Sequence, residues 1–431
     1  MASAVLTRTP SSNGSQRIMT FSTWLKLGSI GSNAFFSTGS SGSALFSLYF
    51  QSAGKLQMEY YNGSTNYYLR TNRLFRDVNA WYHLVMVLDT TQATASNRMR
   101  IYVNGVEETS FNAAQYPTQN FDVQYINSTS YSNKVGNNNG NNFFTGQLAH
   151  VHYVDGTAYT PSTFGETDAT TGIWKPKTSP TVTYGTNGFF LKMDNSANMG
   201  LDSSGQSNNL TTSGPIIQNK DTPSNVFSCL SPIDRPINSS GSSGTLPDLT
   251  NTNLTITNGS NAFREVRSTI YVTKGKYYFE CKPTRIDGSG AFQVGVVLRN
   301  YSSGSGERRS YQNNGNKYVS NSSSYGATFT ANDIIGVALN LTDGEITFYK
   351  NGVSQGVAAT DMLSGIDGTG WTPSVNCYNA DGHLNFGNGY FGTTAVASAE
   401  NPDDGIGIFE YDPPAGYRAI CTKSINAQEY S

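Results

Sequence analysis

The stretch DIIGVALNLTDGEITFYKNG at residues 333–352 decides the fold class. It contains an apolar run, an Asp-Gly turn, and a second run of alternating aromatic residues that ends in Asn-Gly. A shorter version, RIYVNG, stands at residues 100–105 and follows the apolar run AWYHLVMVLD at residues 80–89. Asn-Gly or Asp-Gly between alternating apolar residues favours a β-hairpin, because these residues tolerate the positive φ that tight turns need. We therefore predict antiparallel hairpins in both halves of the chain.

The amino-acid composition extends this prediction to the whole chain. The 431 residues include 44 Gly, 26 Tyr and 22 Phe, and Ser, Thr and Asn are abundant. A disordered chain would lack these aromatics, and a helical chain would be richer in Ala, Leu, Glu and Lys. No stretch has the pattern of a helix of useful length. The composition therefore predicts an all-β chain with almost no helix.

Charge and hydropathy exclude two classes of protein. Charged residues make up 13% of the chain and the net charge is -2, so we expect no nucleic-acid binding. The mean hydropathy is -0.41 and no run of 18 apolar residues occurs, so we expect no membrane insertion. The first residues, MASAVLTRTP, lack the apolar stretch of a signal peptide, which predicts no classical secretion. Four cysteines without a CxxC pair predict reduced, buried thiols.

A proline-rich segment separates two similar halves. Residues 166–250 contain scattered prolines among Ser, Thr, Asn and Gly, which break long strands, so we predict a connector there. Within it, GFFLKM at residues 188–193 is a candidate strand of the first half, and NSSGSSGT at residues 238–245 is the most linker-like stretch. We predict a first domain at residues 1–225 that ends in this connector, and a second at residues 226–431 that ends in a C-terminal tail.

Both halves contain motifs that resemble known domain families. The first half is similar to the laminin-G-like branch of the concanavalin A-like jelly rolls in three stretches: MTFSTWLKLG (19–28), WYHLVMVLD (81–89) and GQLAHVHYVDG (146–156). The second half resembles a SPRY domain in four others: GKYYFECK (275–282), FQVGVV (292–297), IGVALNLTDGEITFYKNG (335–352) and WTPSVNCYNADGHLNFG (371–387). The resemblance implies an all-β fold of two concanavalin A-like jelly-roll β-sandwiches in tandem.

The pairing itself resembles virion proteins of tailed bacteriophages that join a laminin-G-like and a SPRY-like module. The stretches YVDGTAYTPSTFGETDATTGIWKPK at residues 153–177 and GIFEYDPPAGYRAICTK at residues 407–423 share this resemblance. It implies a non-enzymatic structural protein on the exterior surface or tail of the virion, with other virion proteins as partners. Tail fibre, adhesin and capsid decoration stay open. Because long sheet edges need covering, we also expect a closed homo-oligomer, most simply a trimer.

Two other functions are alternatives to an adhesin that binds the host surface. One is a purely structural capsid or tail component with no host ligand. The other is a glycan-active hydrolase, which needs two carboxylates about 5 to 10 Å apart across a groove. No run of alternating Glu and Asp supplies such a pair. His150 and His152 share a strand face by their spacing, but without a third ligand nearby we interpret them as packing or surface residues.

Calcium is the one cofactor hypothesis that the sequence supports. The segment DNSANMGLDSSGQSNN at residues 194–209 places oxygen-bearing side chains around a glycine turn, as calcium prefers. The candidate ligands are Asp194, Asp202 and Asn208. The segment also resembles the DSSGxxN stretch of laminin-G-like and pentraxin-like domains, some of which bind calcium. Asp-Ser-Ser-Gly also forms turns without an ion, so a plain turn is the alternative.

We predict ligand contacts in two tyrosine-rich polar loops, MEYYNGSTNYYLR at residues 58–70 and the stretch at residues 300–326. Both pair aromatic faces with amide and hydroxyl groups, which stack on sugars and adapt to protein surfaces. A host-surface carbohydrate or protein is the expected ligand. The predicted binding residues are Tyr60, Tyr61, Tyr67, Tyr301, Arg308, Arg309, Tyr311 and Tyr318. The alternative is that these side chains cover the sandwich flank or contact a neighbouring subunit.

Overall fold

The protein is described by a computed structural model that covers residues 4–41, 44–138, 140–234, 245–298, 308–364, 366 and 370–429. The chain divides into two compact units, Met1–Gln218 and Asn219–Ser431. The sequence analysis placed this boundary at 225/226. Cys229 and Leu230 are already buried in the core of the second unit, so residues of that core occur close to the observed boundary.

The first unit contains sixteen described strands. They are β1 (Val5–Arg8), β2 (Ile18–Leu27), β3 (Asn33–Ser41), β4 (Ala44–Phe50), β5 (Lys55–Tyr61), β6 (Asn66–Leu74), β7 (Trp81–Asp89), β8 (Met99–Val103), β9 (Val106–Glu107), β10 (Phe111–Gln115), β11 (Asn133–Val135), β12 (Gly146–Asp155), β13 (Gly165–Thr167), β14 (Trp174–Pro176), β15 (Phe189–Leu191) and β16 (Thr211–Ser213). An eight-stranded sheet has the order β10-β6-β5-β4-β3-β11-β1-β16, and a six-stranded sheet has the order β15-β12-β2-β7-β8-β9. Strands β13 and β14 pair separately.

The two sheets of the first unit pack on a shared apolar core. Phe21 of the six-stranded sheet lies 4.8 Å from Phe36 of the eight-stranded sheet, measured between ring centroids. The predicted turn between β8 and β9 is present, with φ of 49° at Asn104 and 85° at Gly105. Both values lie in the left-handed region that a tight hairpin requires. The hairpin signal in the sequence is therefore confirmed.

The segment after β12 is more than a connector. Phe164 and Tyr184 pack with Val85 and Val154 in a small second core, separate from the core between the sheets. His152 joins this layer, because its ring stacks on Phe190 at 4.0 Å. Strand β15 pairs with β12, as the GFFLKM stretch predicted. The stretch predicted as a connector thus contributes Tyr184 and Phe190 to an additional apolar layer on the six-stranded sheet.

The second unit contains fourteen described strands and one helix. They are β17 (Asp248–Thr250), β18 (Thr255–Arg267), β19 (Lys276–Ile286), β20 (Phe292–Leu298), β21 (Arg308–Gln312), β22 (Asn316–Val319), β23 (Asn321–Ser324), β24 (Ile335–Asn340), β25 (Glu345–Lys350), β26 (Val353–Ala359), β27 (Trp371–Asn385), β28 (Tyr390–Phe391), β29 (Thr394–Ala395), β30 (Arg418–Ala419) and α1 (Thr422–Glu429). The main sheet follows the path β23-β22-β21-β20-β27-β19-β24-β25-β26, with β18 beside β27 and β30 beside β19.

This long sheet folds over its own core. Tyr311 of β21 and Phe348 of β25 are far apart along the sheet path, yet their ring centroids are 5.6 Å apart. Trp371 is fully buried in the same core. The predicted Asn-Gly turn is present, with φ of 48° at Asn351 and 78° at Gly352. The prediction of an all-β chain is therefore confirmed.

The C-terminal tail is an integral part of the second unit. Strand β30 pairs in parallel with β19, and Phe409 is fully buried, 5.0 Å from the ring of Tyr278. The eight-residue helix α1 follows, which the sequence analysis did not predict. Throughout the described residues, no helix is both long enough and apolar enough to cross a membrane.

Candidate functional site

The stretch predicted as a ligand-binding loop at residues 300–326 contains strands β21, β22 and β23. Arg309 and Tyr311 of β21 are 7% and 0% exposed, so neither is the accessible loop residue that the sequence analysis predicted. The Arg309 guanidinium donates to both carboxylate oxygens of Asp361, at 3.0 and 2.6 Å. The prediction of exposure was wrong because alternate side chains of β21 point toward the core, and the Arg309 charge is balanced by the partly exposed Asp361. Tyr301 lies outside the described residues.

Arg308 is also buried, at 9% exposure, but it belongs to the opposite side of β21. Its guanidinium forms an ion pair with Glu265 of β18 and donates to Oε1 of Gln293 at 3.2 Å. Glu265 accepts a second charged hydrogen bond from Nε of Arg267, at 3.1 Å. Burial, the largest single influence, lowers the pKa of Arg267, but Glu265, Asp234 and Tyr271 together raise it more, so the pKa of this guanidinium is raised. Arg267 is therefore charged at any physiological pH.

Register places these groups on one side of five neighbouring strands, since Ser310 of β21 in turn lies opposite Tyr318 of β22. Glu265 of β18 lies opposite Asn376 of β27, Asn376 lies opposite Gln293 of β20, and Gln293 lies opposite Gln312 of β21. Residues two apart on a strand share a face. We call this surface the second-domain outer face, and its members are Phe263, Glu265, Arg267, Gln293, Arg308, Ser310, Gln312, Tyr318, Asn376 and Tyr378.

Aromatic side chains lie beside the charges on this face. Phe263 is 53% exposed and lies 5.4 Å from Tyr378, measured between ring centroids. Tyr318, which is half-buried, has the guanidinium carbon of Arg308 at 5.9 Å from its ring centroid. Ser310 is 2% exposed, and its Oγ has no hydrogen-bond partner among the described residues. The face thus combines an accessible aromatic ring with fixed polar groups.

The tyrosine-rich segment of the first unit forms the hairpin of β5 and β6. Tyr60 is 2% exposed and packs against Tyr67, Phe121 and Tyr125, so its predicted role as an accessible ligand contact was wrong. Tyr61 and Tyr67 are half-buried. Alternation of side chains along β5 and β6 directs Tyr60 and Tyr67 to the core, which is why they are covered.

The neighbouring residues of this hairpin, and those opposite them on β4, point away from that core. We call this surface the first-domain polar face, and its members are Ser47, Tyr49, Gln57, Glu59, Tyr68 and Arg70. Register supports the grouping, since Glu59 lies opposite both Ser47 and Tyr68, and Gln57 lies opposite both Tyr49 and Arg70. The sequence analysis missed this face, although the alternation of Gln57 and Glu59 with apolar neighbours was a usable signal.

Two of the three predicted calcium ligands, Asp202 and Asn208, form hydrogen bonds with the chain itself. Asp202 accepts four hydrogen bonds from the chain, one of them from the N–H of Phe190 at 2.8 Å. The side chain of Asn208 binds Arg8 and donates to two backbone carbonyls, while Asp194 is exposed. Among the described residues, no three His, Cys, Asp or Glu side chains gather as a metal site would require. Here the cationic group beside Asn208 is the Arg8 guanidinium, and the structure favours the plain-turn alternative.

A second buried carboxylate holds the tail of the second unit. Glu280 is 0% exposed and accepts the backbone N–H groups of Glu410 and Tyr411 at 2.9 and 3.0 Å. Asn385 donates to it at 3.2 Å. Burial raises the pKa of Glu280 to about 7, although these donors act in the opposite direction. This carboxyl therefore titrates near neutral pH while it contacts the tail.

Comparison with protein families now adds to this geometry. A model of the concanavalin A-like lectin/glucanases superfamily matches residues 3–163, and a model of the SPRY domain matches residues 276–389. A match to the concanavalin A-like superfamily is thus followed along the chain by a match to the SPRY domain. Over 134 residues, 29% of this chain, the sequence is 31% identical to the E3 ubiquitin-protein ligase RKP of Arabidopsis thaliana. The match spans only 10% of that relative, so its activity does not transfer to this chain.

Several solved structures are also similar. The SPRY domain of human HERC1 is 21% identical, with a TM-score of 0.28, and the match covers 30% of this chain and 87% of that one. A heptameric SAP-like pentraxin from Limulus polyphemus is 20% identical, with a TM-score of 0.27 and coverages of 37% and 72%. Stonustoxin is 16% identical, with a TM-score of 0.28 and coverages of 37% and 27%. None of these proteins is a virion protein by its description, so a virion role does not follow from them.

Both matched domains are of kinds that bind other molecules. The lectin-like match indicates a carbohydrate-binding or protein-binding role for the first domain, and the SPRY match indicates a binding role for the second. The two polar faces described above are the surfaces on which the geometry places groups suited to such binding.

Proposed function

We propose that this chain is a non-enzymatic binding protein of a tailed-bacteriophage virion, and that its second-domain outer face binds a carbohydrate or protein on the host surface. The main support for this proposal is the buried Glu265–Arg308 ion pair, which lies beside the accessible ring of Phe263. A buried ion pair is a weak source of stability, since apolar residues of similar volume usually serve as well. The position of this ion pair, on the side of the sheet away from the core, is better explained by a role in recognising a ligand.

Both components of this face suit ligand binding. The rings of Phe263 and Tyr378 offer apolar area at small conformational cost, as the aromatic anchors of interfaces do. Arg308 is fixed by Glu265 and Gln293, so little entropy is lost when a ligand meets it. Of the residues predicted from the sequence, Tyr318 therefore keeps a place in the proposed site as a half-buried ring of a sheet face, and Arg308 as the buried charge beside it.

The virion location rests on resemblance. The order of a laminin-G-like domain and a SPRY domain, together with the stretches at 153–177 and 407–423, is similar to phage virion proteins. In this protein, the first stretch supplies Phe164 to the additional apolar layer, and the second supplies Phe409 to a smaller apolar cluster of the second unit. We accordingly propose an exterior or tail location, other virion proteins as partners, a homotrimer as the assembly, and no binding of nucleic acid or membrane.

The absence of a second acidic group supports a non-enzymatic role for the first-domain polar face. Strands β3, β4, β5 and β6 contain one acidic residue between them, Glu59. Glycoside hydrolysis by the usual mechanisms needs two carboxylates on either side of the scissile bond. A hydrolase that uses this face would have to recruit its second carboxylate from another segment.

Competition for adsorption tests the proposal. Free full-length protein, added before the phage, is expected to slow adsorption to cells of the strain on which the phage forms plaques. Phe263→Ala should weaken this competition at least tenfold, because it removes the accessible ring. Val353→Ala is the matched control, since Val353 is 66% exposed in the edge strand β26 and lies off the face.

Three outcomes would contradict parts of the proposal. If the wild-type protein did not compete although gold-labelled antibodies located it on the particle, the purely structural alternative would replace host binding. If antibodies found no copy on purified particles, the virion assignment would be wrong. Equal competition by both variants would remove the second-domain outer face as the site.

A further inference from the structure

The chain contains nine Asn-Gly pairs, and at each of them the backbone can react with a side chain. The amide nitrogen of the glycine can attack Cγ of the preceding asparagine, and glycine hinders this approach least because it has no Cβ. The folded structure decides which pairs react, since the carboxamide must turn toward a free glycine nitrogen. Three pairs lie in the same triplet, Asn-Gly-Ser, at Asn13, Asn62 and Asn258, so their local sequence is identical.

In five of the other described pairs, burial or a hydrogen bond to another segment holds the asparagine in place. Three of these asparagines are 3% exposed or less, so water does not reach their carboxamides: Asn187, Asn258 and Asn388. Oδ1 of Asn104 accepts the backbone N–H of His83, and Oδ1 of Asn351 accepts that of Ile334, both at 2.8 Å. Neither carboxamide can turn toward its glycine without breaking this hydrogen bond.

In two further pairs, the glycine nitrogen itself is engaged. The N–H of Gly14 donates to the carbonyl of Asn127 at 2.8 Å, and the N–H of Gly315 donates to the carbonyl of Gln312 at 3.0 Å. An attack by either nitrogen would first have to break this hydrogen bond. Asn139, of the ninth pair, lies outside the described residues.

The remaining pair, Asn62-Gly63, lies in the loop between β5 and β6. Oδ1 of Asn62 accepts the backbone N–H groups of Ser64 and Thr65 at 3.1 and 2.8 Å, and the Ser64 hydroxyl at 3.1 Å. The ring closed by the first of these bonds contains both Cγ of Asn62 and the nitrogen of Gly63, as in any Asx-turn. All three donors point at the oxygen on which negative charge develops during attack on Cγ, so they favour the reaction.

Gly63 leaves room for this attack. It is exposed, and a Cβ added to it would meet no atom within 4 Å. Its N–H forms no hydrogen bond with any described residue. Asn62 is half-buried, so water has access to its carboxamide. The pair thus combines a carboxamide held by its own loop with an unengaged glycine nitrogen and access to solvent.

We infer that Asn62 is a site of spontaneous, enzyme-free deamidation. The Gly63 nitrogen gives up its proton and forms a bond to Cγ of Asn62, the bond from Cγ to Nδ2 breaks, and ammonia leaves with that proton. Water then adds to either carbonyl of the resulting cyclic imide and opens it to aspartate or isoaspartate. No oxidant or reductant takes part. The new carboxylate adds one negative charge to the net charge of -2.

This modification is independent of the proposed binding function. The loop joins β5 and β6, whose Glu59 and Tyr68 belong to the first-domain polar face. The reaction is irreversible and needs only water, so the charge at this end of the hairpin changes as each copy of the protein ages.

Peptide mapping by mass spectrometry of the full-length protein, kept folded at pH 8.5 and 37 °C, tests the inference. We expect the peptide with Asn62 to convert to its aspartate and isoaspartate forms at least tenfold faster than the peptides with Asn13 and Asn258. The same protein in urea is the reference, because unfolding removes the structural differences among the three identical triplets. In urea, the three rates should agree within threefold.

Two variants complete the test. Asn62→Gln should remove the first acidic species that anion exchange resolves during incubation, because attack on the longer side chain requires a larger ring. Asn13→Gln is the matched control and should leave that species unchanged. Equal rates at the three triplets in the folded protein, a preference for Asn62 that persists in urea, or an acidic species that survives in Asn62→Gln would each overturn the inference.

Discussion

The two polar faces differ in how their charged side chains are buried and paired. On the second-domain outer face, the side chains of Arg308 and Glu265 are 11% and 5% exposed and pair directly. On the first-domain polar face, Arg70 and Glu59 are half-buried and are joined through two neutral side chains, Gln57 and Tyr49. Buried charges need direct partners, whereas partly solvated charges tolerate separation. Substitution of a charged residue should therefore lower the free energy of unfolding more on the second-domain outer face than on the first-domain polar face.

Removal of one buried charge should give the largest effect. Arg308→Met leaves Glu265 with one charged partner in a buried place, so we expect a loss of about 3 kcal/mol in the free energy of unfolding. Arg70→Gln should cost less than about 1 kcal/mol, since that guanidinium is partly solvated. Urea unfolding of both variants measures the difference. Similar losses would contradict the contrast between the faces.

Substitution of Glu265, the ion-pair partner of Arg308, provides the control for this prediction. The double variant Glu265→Gln and Arg308→Met no longer contains the Glu265 carboxylate that Arg308→Met leaves without Arg308. Its loss in the free energy of unfolding should therefore be smaller than the sum of the losses of the two single variants. Strict additivity in this double-mutant cycle would show that the two groups do not interact in solution.

The pH dependence of stability should show the next largest effect. Glu280 has a pKa raised to about 7, so the folded state keeps this proton to a higher pH than the unfolded state does. The contribution of Glu280 is thus fully present below about pH 4.5 and is lost as the pH rises to about 7, by about 3 kcal/mol. Glu280→Gln should remove this decline. Urea unfolding between pH 5 and pH 8 tests it, and parallel curves for the two proteins would contradict it.

Asp202→Ala should have an intermediate effect that does not depend on calcium. The substitution removes four hydrogen bonds to the chain, so we expect a loss of about 2 kcal/mol. Because Arg8 contacts Asn208 in this region, EDTA should not change the melting temperature of either protein. A melting temperature that falls with EDTA in the wild type alone would restore the calcium hypothesis.

The smallest effect on stability should come from the accessible aromatic ring. Phe263 is 53% exposed, so Phe263→Ala should change the free energy of unfolding by less than about 0.5 kcal/mol. Thermal melting measures this. A loss above about 2 kcal/mol would mean that Phe263 is a packing residue, and its use as a binding probe would then be unsound.

Hairpin signals predicted the fold because they are local. The Asn-Gly turns at Asn104 and Asn351 need only the conformational preferences of neighbouring residues, and both are present. Helix α1 was missed because its contacts are with residues distant in sequence, such as the hydrogen bonds between the Gln428 side chain and the backbone of Lys276. The scattered aromatics after β12 were taken for a connector because their apolar layer requires residues such as Val85, far back in the chain.

The candidate site was harder to predict for the same reason. Arg308 and Arg309 are adjacent and polar, which is typical of a loop, but each is buried against an acidic partner in another segment. Glu265 and Asp361 lie 43 and 52 positions away, and no local pattern connects them to β21. Tyrosine was a good marker for both faces, yet only strand register decides which tyrosines point outward, as Tyr68 and Tyr60 show.

Hydrogen exchange on the bound protein tests the central claim most directly. The full-length chain is mixed with purified envelope of the host strain, and amide exchange is compared with that of the free protein. We predict slower exchange in peptides from β18 around Phe263 and from β21 and β22 around Arg308 and Tyr318, the strands of the second-domain outer face. Unchanged exchange in these strands, with protection confined to β25 and β26, would contradict the assignment of the binding surface.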